Sequence, residues 1–410
     1  MNSTKDLFEE TEKCISCGFC EAVCPTLPSM NYRSIYGARG RVLLAREVVK
    51  NINESGKVKL KINDPFYTCL GCYACFYVCP AGVNAGKVSE MVKDIVTEKK
   101  YVKKQEKNIA KMIKESIMKY QNPLGIKEKL SSWSDGMEFN NNSETLFYTG
   151  GMYQLMAYSK YLSNLEKKIN PEIIENLADA IAKNTGALKF TSLMYDKNLK
   201  DRMDNILKSI VELLKYSGIE FDYLGDEEPY SGAFLFELGY IDEFVEYGKK
   251  LMEIFRKRNI SKIITIDPHT YEVLKSTYPK YIKDFQFDVH HYLEFININN
   301  FIKSNEKLTF HEPCHFVTHE KYDIPLKFVS KIGDVVLPDR HGTNVFCCGG
   351  PDELLYPKLS ESISQKRFEQ LKTTGAEKIV TACPICFVNL YKDETVYDIA
   401  ELLIKNKKSL

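Results

Sequence analysis

The sequence has one tryptophan in 410 residues and a net charge of only +1. Fifty-six basic residues stand against fifty-five acidic ones, leaving no bulk electrostatic case for nucleic acid or an anionic membrane surface. No stretch of about twenty apolar residues occurs, so no spanning helix is expected. The opening residues, MNSTKDLFEE, are polar and acidic, unlike a secretory signal. No G-x-G-x-x-G follows a predicted strand and no P-loop is present, so the chain is expected to lack a flavin or nicotinamide site of its own. What the sequence does have is cysteine, thirteen in all. Without export these fit a reducing compartment, where thiolates bind metal and do not pair. The expected location is the cytoplasm, with peripheral contact at the inner face of the cell membrane as a variant of it. The length allows two or three domains.

Eight cysteines fall in two runs, Cys14-Ile-Ser-Cys17-Gly-Phe-Cys20-Glu-Ala-Val-Cys24-Pro25 and Cys69-Leu-Gly-Cys72-Tyr-Ala-Cys75-Phe-Tyr-Val-Cys79-Pro80. Each reads C-x2-C-x2-C-x3-C-P. Steps of two residues turn three thiolates onto one small inorganic core, and the fourth, followed by Pro, reaches a different core. The two runs predict two cubane 4Fe–4S clusters with crossed ligation: Cys14, Cys17, Cys20 and Cys79 for one, Cys24, Cys69, Cys72 and Cys75 for the other. Zinc sites seldom carry this trailing C-P.

The N-terminal module reads as helices with cysteine runs between them: residues 1–13, Arg41 to Val49 and Lys87 to Val96. Arg39-Gly40-Arg41 is either a pair of cations beside an anionic cluster or docking contact, or an exposed basic helix start. Residues 101–143 change character and read as a surface connector, with Trp133 as an anchor against the next domain. From Leu146 strands and helices alternate, which predicts parallel βαβ units. Helices are expected at Glu172 to Lys183, Arg202 to Lys215 and Asp242 to Arg258, and strands at Ile219 to Leu224 and Lys262 to Asp267. Further on come strand Leu308 to Phe310, helix Pro325 to Ile332, strand Asp334 to Leu337, helix Lys358 to Thr373 and strand Lys378 to Ala382.

This second part repeats. Ser261-Lys-Ile-Ile-Thr-Ile-Asp267-Pro268 aligns with Glu377-Lys-Ile-Val-Thr-Ala-Cys383-Pro384, Pro229 to Gly232 with Phe346 to Gly349, and, less closely, Phe147 to Gly151 with Phe310 to Cys314. Where the second copy has Cys, the first has none, so Asp267 and His269 read as a polar loop. An insertion spans roughly Leu162 to Lys200. The expected architecture is α+β and multidomain: an α-helical ferredoxin domain at 1–100, the connector at 101–143, a thiol-free α/β repeat at 144–303, and an α/β repeat with a five-cysteine metal site at 304–410.

That site comprises Cys314, Cys347, Cys348, Cys383 and Cys386. Each group falls at or after the C-terminal end of a predicted strand, where α/β sheets gather ligands into one crevice. Five thiolates exceed what tetrahedral zinc needs. Spacing favours a multi-iron cluster, with zinc plus a spare thiol as the alternative.

Cys314…Cys347-Cys348-Gly349-Gly350…Cys383-Pro-Ile-Cys386 resembles the cysteine-rich CCG domain of the B-type and D-type heterodisulfide reductase subunits. The same domain occurs in the iron–sulfur subunit of glycolate oxidase and of related glycerol-3-phosphate and lactate dehydrogenases. The order of the whole chain also resembles theirs, and Arg39-Gly40-Arg41 looks more like the glycolate oxidase type. The resemblance implies a noncubane 4Fe–4S cluster on the five C-terminal cysteines. It implies an electron-transfer subunit that serves an FAD-containing dehydrogenase of a 2-hydroxy acid or glycerol-3-phosphate. Electrons would leave to a quinone, a thiol or a carrier protein. Loss of the cysteines from the first repeat departs from the heterodisulfide reductase pattern and weighs against disulfide reduction, which stays as an alternative beside a zinc-containing docking subunit. No catalytic residue is assigned. His311, His315 and His319 flank Cys314, and His315 is the candidate to carry a proton or a hydrogen bond to a cluster sulfide, against the reading of a satisfied turn histidine.

Overall fold

The computed structural model describes residues 3–98, 101–102, 105–126, 129–170, 173–174, 176, 178–179 and 195–408. Part of the helix expected at Glu172 to Lys183 and about half of the expected insertion lie outside them.

Helices Ser3–Glu12, Ala38–Ser55 and Ala85–Thr97 pack on one another and carry the two cysteine runs between them. Ala38–Ser55 buries Ala38, Arg41, Val42, Ala45, Val48, Val49 and Ile52, a stripe at helical spacing, and stops at Gly56 with φ 66°. Ala85–Thr97 starts at Asn84, whose side chain accepts the N–H groups of Gly86 and Lys87.

Residues 101–143 do more than cross the surface. Helix Asn108–Tyr120 buries Ile109, Ala110, Ile113 and Ile117. Trp133 is 1% exposed and donates its Nε1–H to the Tyr223 hydroxyl at 3.2 Å. The Ile109/Ile113/Ile117 stripe draws this stretch into the core, despite the polar sequence on either side of it.

Two parallel sheets follow. The first has strands β1 (Thr145–Tyr148), β2 (Lys262–Thr265) and β3 (Asp288–His291) in the order β1-β2-β3. The second has β4 (Lys307–His311), β5 (Asp334–Val335), β6 (Lys378–Thr381) and β7 (Val396–Asp398) in the order β5-β4-β6-β7. The strand expected at Ile219 to Leu224 contracts to one parallel bridge, Leu146 with Asp222. There the Asp222 side chain takes the N–H of Tyr223 at 2.7 Å, competing with the ladder. β3 and β7 are four and three residues long, too short to register as alternation.

Local details recur between the sheets. Asp267 after β2 and Cys383 after β6 each stand at the N-cap of a helix whose first residue is proline. Gly232 and Gly349 both have φ 85°. At the ends of β3 and β7, the N–H groups of His291 and Asp398 go to the carboxylates of Glu294 and Glu401, both at 2.8 Å.

Candidate metal centres

Cys14, Cys17, Cys20 and Cys79 line one small cavity, and Cys24, Cys69, Cys72 and Cys75 line a second. The loops achieve this by turning at equivalent positions. Ser16 and Gly18 in the first run, and Gly71 and Tyr73 in the second, all have positive φ, between 53° and 88°. Ser16 and Tyr73 are therefore held in a region that non-glycine residues seldom adopt. Tyr73 is held by its hydroxyl, 2.8 Å from Glu90, and by stacking on His319 at 3.9 Å between ring centroids. Cys17 is exposed, whereas Cys24, Cys72 and Cys75 are buried.

The two arginines divide between the cavities. Arg39 lines the first and pairs with Glu21 at 2.9 Å. Arg41 is 1% exposed and lines the second. It donates to Cys24 Sγ at 3.7 Å, to Thr26 Oγ1 at 3.0 Å, and to the carbonyls of Pro65 and Thr68 at 2.6 and 3.1 Å. Burial opposes ionisation of Cys24, but the Arg41 charge and the Thr26 hydroxyl hold its thiol below the usual range. In the other cavity, burial pushes Cys20 up to about 12. Gly40 brings the Ala38–Ser55 helix this close, since a Cβ there would lie 1.8 Å from the Ser34 carbonyl oxygen.

Cys314, Cys347, Cys348, Cys383 and Cys386 are all buried and come together. Cys347 contacts Cys314 and Cys348, and Cys386 contacts Cys348 and Cys383. Cys314 follows β4 at the head of a π-helical turn, His315–Glu320. The N–H groups of Gly349 and Gly350 each point at a sulfur, Cys347 Sγ and Cys348 Sγ, at 3.4 Å. Donated backbone hydrogen bonds of this kind suit thiolates in metal–sulfur sites.

The histidines separate. His311 belongs to the thiol cluster, within 4.8 Å of Cys348 and Cys386. Its Nδ1 accepts the Nε–H of Arg367 at 3.0 Å, which leaves Nε2 to bear the proton. His315 turns away, with Nδ1 2.5 Å from Glu272. His319 bonds Glu272 at 2.9 Å and the Gly71 carbonyl at 2.8 Å. His269, expected in a polar loop, is buried in the first turn of helix Pro268–Glu272. It bonds Glu237 at 2.9 Å and contacts Cys383. Asp267 caps that helix, accepting the N–H groups of His269 and Thr270 at 3.0 Å. The sequence reading missed Glu237 and Glu272. The signal for the group was His315-x-x-x-His319, two imidazoles on one helical face.

Glu237, Glu272, His315 and His319 line a cleft between the N-terminal helices and the sheets. Its apolar wall includes Met152, Leu155, Met156, Phe234 and Phe236. Its polar wall includes Glu90, Lys93, Glu237, Glu272, His315 and His319. Burial raises Glu90 to about 7.

Residues 10–83 match the 4Fe-4S dicluster domain, and residues 308–391 match the cysteine-rich domain of the CCG type. The chain thus carries an iron–sulfur dicluster domain and a CCG domain. It is 29% identical over 229 residues to the probable iron-sulfur-binding oxidoreductase FadF of Bacillus subtilis, covering 50% of this chain and 32% of that protein. The chain therefore spans only about a third of FadF. It is 23% identical to the D-type subunit of the dihydromethanophenazine:CoB–CoM heterodisulfide reductase of Methanosarcina barkeri, covering 98% of this chain and 95% of that one. It is 22% identical to the probable glycolate oxidase iron-sulfur subunit of Bacillus subtilis, covering 95% and 90%. No helix among the described residues is long and apolar enough to cross a membrane.

Proposed function

We propose that this chain is the iron–sulfur electron-transfer subunit of a flavin-linked dehydrogenase complex. Cys14, Cys17, Cys20 and Cys79 would hold one cubane, and Cys24, Cys69, Cys72 and Cys75 the other. Cys314, Cys347, Cys348, Cys383 and Cys386 would hold a noncubane 4Fe–4S cluster. Such clusters supply one-electron exchange at potentials set by burial and by hydrogen bonds to sulfur. The donor sets fit: two cavities lined by four cysteines each, and a third centre with five touching thiols and two backbone N–H groups aimed at sulfur. Four-coordinate zinc would leave one of those five without a role.

The observation that carries the relay reading is the join between the second and third cysteine sets. The Thr318 hydroxyl lies 2.7 Å from the Cys314 carbonyl and 2.9 Å from that of Cys72. His319 reaches Gly71, Tyr77 donates to the Thr318 carbonyl at 2.7 Å, and Arg340 donates to the Val23 carbonyl at 2.8 Å. The first set sits at the opposite extreme of exposure, with Cys17, Ile15 and Phe19 open to solvent. A partner flavoprotein therefore meets the chain at Ile15 and Phe19, and the buried end exchanges electrons with the acceptor. The substrate class is a 2-hydroxy acid such as glycolate or lactate, or glycerol-3-phosphate, oxidised on the partner. The acceptor is a quinone, a thiol or a carrier. We further propose that the two sheets are copies of one unit, the first stripped of thiols, which leaves a single cluster where disulfide cleavage by a cluster pair would need two.

Metal analysis of the anaerobically purified chain tests this. About twelve irons fit three 4Fe–4S clusters, and about eight irons with zinc defeat the noncubane assignment. Cys348→Ser is expected to remove the noncubane EPR signal and spare the others. Co-purification of a flavoprotein, lost in Phe19→Glu, tests the partner. Disulfide turnover by the isolated chain would overturn the relay reading.

A further inference from the structure

Glu237, Glu272, His315 and His319 in the wall of the cleft form, together with the buried His269, a donor cluster that uses no cysteine. They fall into two overlapping sets, Glu237/His269/His315 and Glu272/His315/His319, with the ligand atoms of each set within 4.8 Å of one another. Ring centroids of His269 and His315 are 3.8 Å apart, and those of His315 and His319 are 4.5 Å apart. We propose that Glu272, His315 and His319 bind one divalent transition-metal ion, separate from the iron–sulfur centres and open to the cleft.

The orientation of His319 favours a metal. A carbonyl oxygen only accepts, so the contact of Nε2 with Gly71 at 2.8 Å puts the ring proton there. With no ion bound, Nδ1 also bears a proton and donates it to the Glu272 carboxylate 2.9 Å away, so a cation would take that proton's place. His315 directs its own Nδ1 at the other Glu272 oxygen. Two ring nitrogens thus converge on one carboxylate, and a cation that displaces the proton held there is bound by all three. Metal-ligating histidines characteristically donate the other ring N–H to a carbonyl or carboxylate, which fixes the tautomer. Stacking of Tyr73 on His319, with 13° between the rings, holds that orientation.

The backbone supplies an independent observation. Both segments that bear these ligands contain a π-turn at or next to the ligand. His315 and His319 lie within the π-turn His315–Glu320, and Glu272 ends helix Pro268–Glu272 where the π-turn Val273–Thr277 begins. Single π-turns are rare and concentrate at functional sites.

The Glu272 set is chosen over the Glu237 set because His269 already faces Cys383, whereas Glu272, His315 and His319 all border free space. Two imidazoles and one carboxylate with open positions suit Zn2+, Fe2+, Mn2+ or Ni2+, and leave room for an exogenous oxygen ligand. The ion would be a Lewis acid facing whatever enters the cleft.

The test is titration of the anaerobic, full-length, cluster-loaded protein with Zn2+ alone, after brief chelation that leaves the iron content unchanged. One Zn2+ per chain is expected to bind wild type and His341→Gln alike. Glu272→Gln and His319→Gln should bind at least ~10-fold more weakly with their iron and EPR signals intact. Zinc-edge absorption of the loaded wild type should give nitrogen and oxygen at about 2.0–2.2 Å, with no sulfur neighbour. This reading needs no variant to fold. The proposal is overturned if wild type takes up no Zn2+, if Glu272→Gln binds it as tightly as wild type, or if the bound zinc has sulfur neighbours. Cluster loss would instead register as missing iron, which separates this result from failure of the relay assignment.

Discussion

Arg41 Nη1 lies 3.7 Å from Cys24 Sγ, and the same guanidinium donates to Thr26, Pro65 and Thr68. A buried cation so fully committed acts on its sulfur in two ways. It stabilises negative charge there, and it ties the first cysteine run to the second. Arg41→Gln is expected to make the potential of the centre on Cys24, Cys69, Cys72 and Cys75 more negative by on the order of 60 mV, one tenfold step for a one-electron couple. Arg41→Lys should not restore it, because an ammonium lacks the planar fork that reaches several acceptors at once. EPR-monitored redox titration reads both outcomes.

Gly40 is expected to tolerate no side chain. Its Cβ would meet the Ser34 backbone oxygen at 1.8 Å, and backbone cannot swing aside as a side chain does. Gly40→Ala should cost about 3 kcal/mol through overpacking, seen as a lowered thermal midpoint together with loss of iron from the N-terminal domain.

His311 lies beside the C-terminal thiols Cys348 and Cys386. With Arg367 on Nδ1, its Nε2 proton faces Cys348 and Cys386. His311→Leu is expected to lower the potential of that centre by less than a tenfold step, while the spectra of the N-terminal centres stay as they are. His315→Leu should leave that potential nearly unchanged, since His315 contacts Glu272 instead. Equal effects of the two variants would refute the distinction.

Glu228 accepts the Thr149 N–H at 3.1 Å and bonds the Thr149 hydroxyl. Burial raises its carboxyl from 4.5 to about 8. Between those values the folded chain holds the proton and the unfolded chain does not. Stability is therefore fully present below about pH 4.5 and is lost as pH rises through about 8. Against Glu228→Gln, wild type should lose thermal stability steadily from pH 6 to 8 and no further above about 9. A gap that stays constant across this range would show that the carboxyl does not titrate there.

The dicluster domain was legible because thiolate spacing is dictated by the size of an inorganic core, and that constraint is local. Strand–helix alternation was legible for the same reason, since apolar periodicity records which face of each element is buried. β3 and β7 were harder to read, being short, and the burial of helix Asn108–Tyr120, whose Ile109/Met112/Ile113/Ile117 spacing reads as a helix, was hidden by the polar sequence around it. The direction of each ring was not legible: adjacency to Cys314 in sequence does not say that His311 faces the thiols while His315 points at Glu272.

The iron–sulfur dicluster domain was already written in the linear order of residues, in two C-x2-C-x2-C-x3-C-P runs. Three-dimensional packing settled which cysteines share a cavity, which arginine serves which centre, and how the third set abuts the second through Thr318 and His319. It also settled that Glu237 and Glu272 meet three histidines. Glu272 is 43 residues from His315, so no local pattern connects them. Packing of helix Pro268–Glu272 against the π-turn His315–Glu320 brings them together.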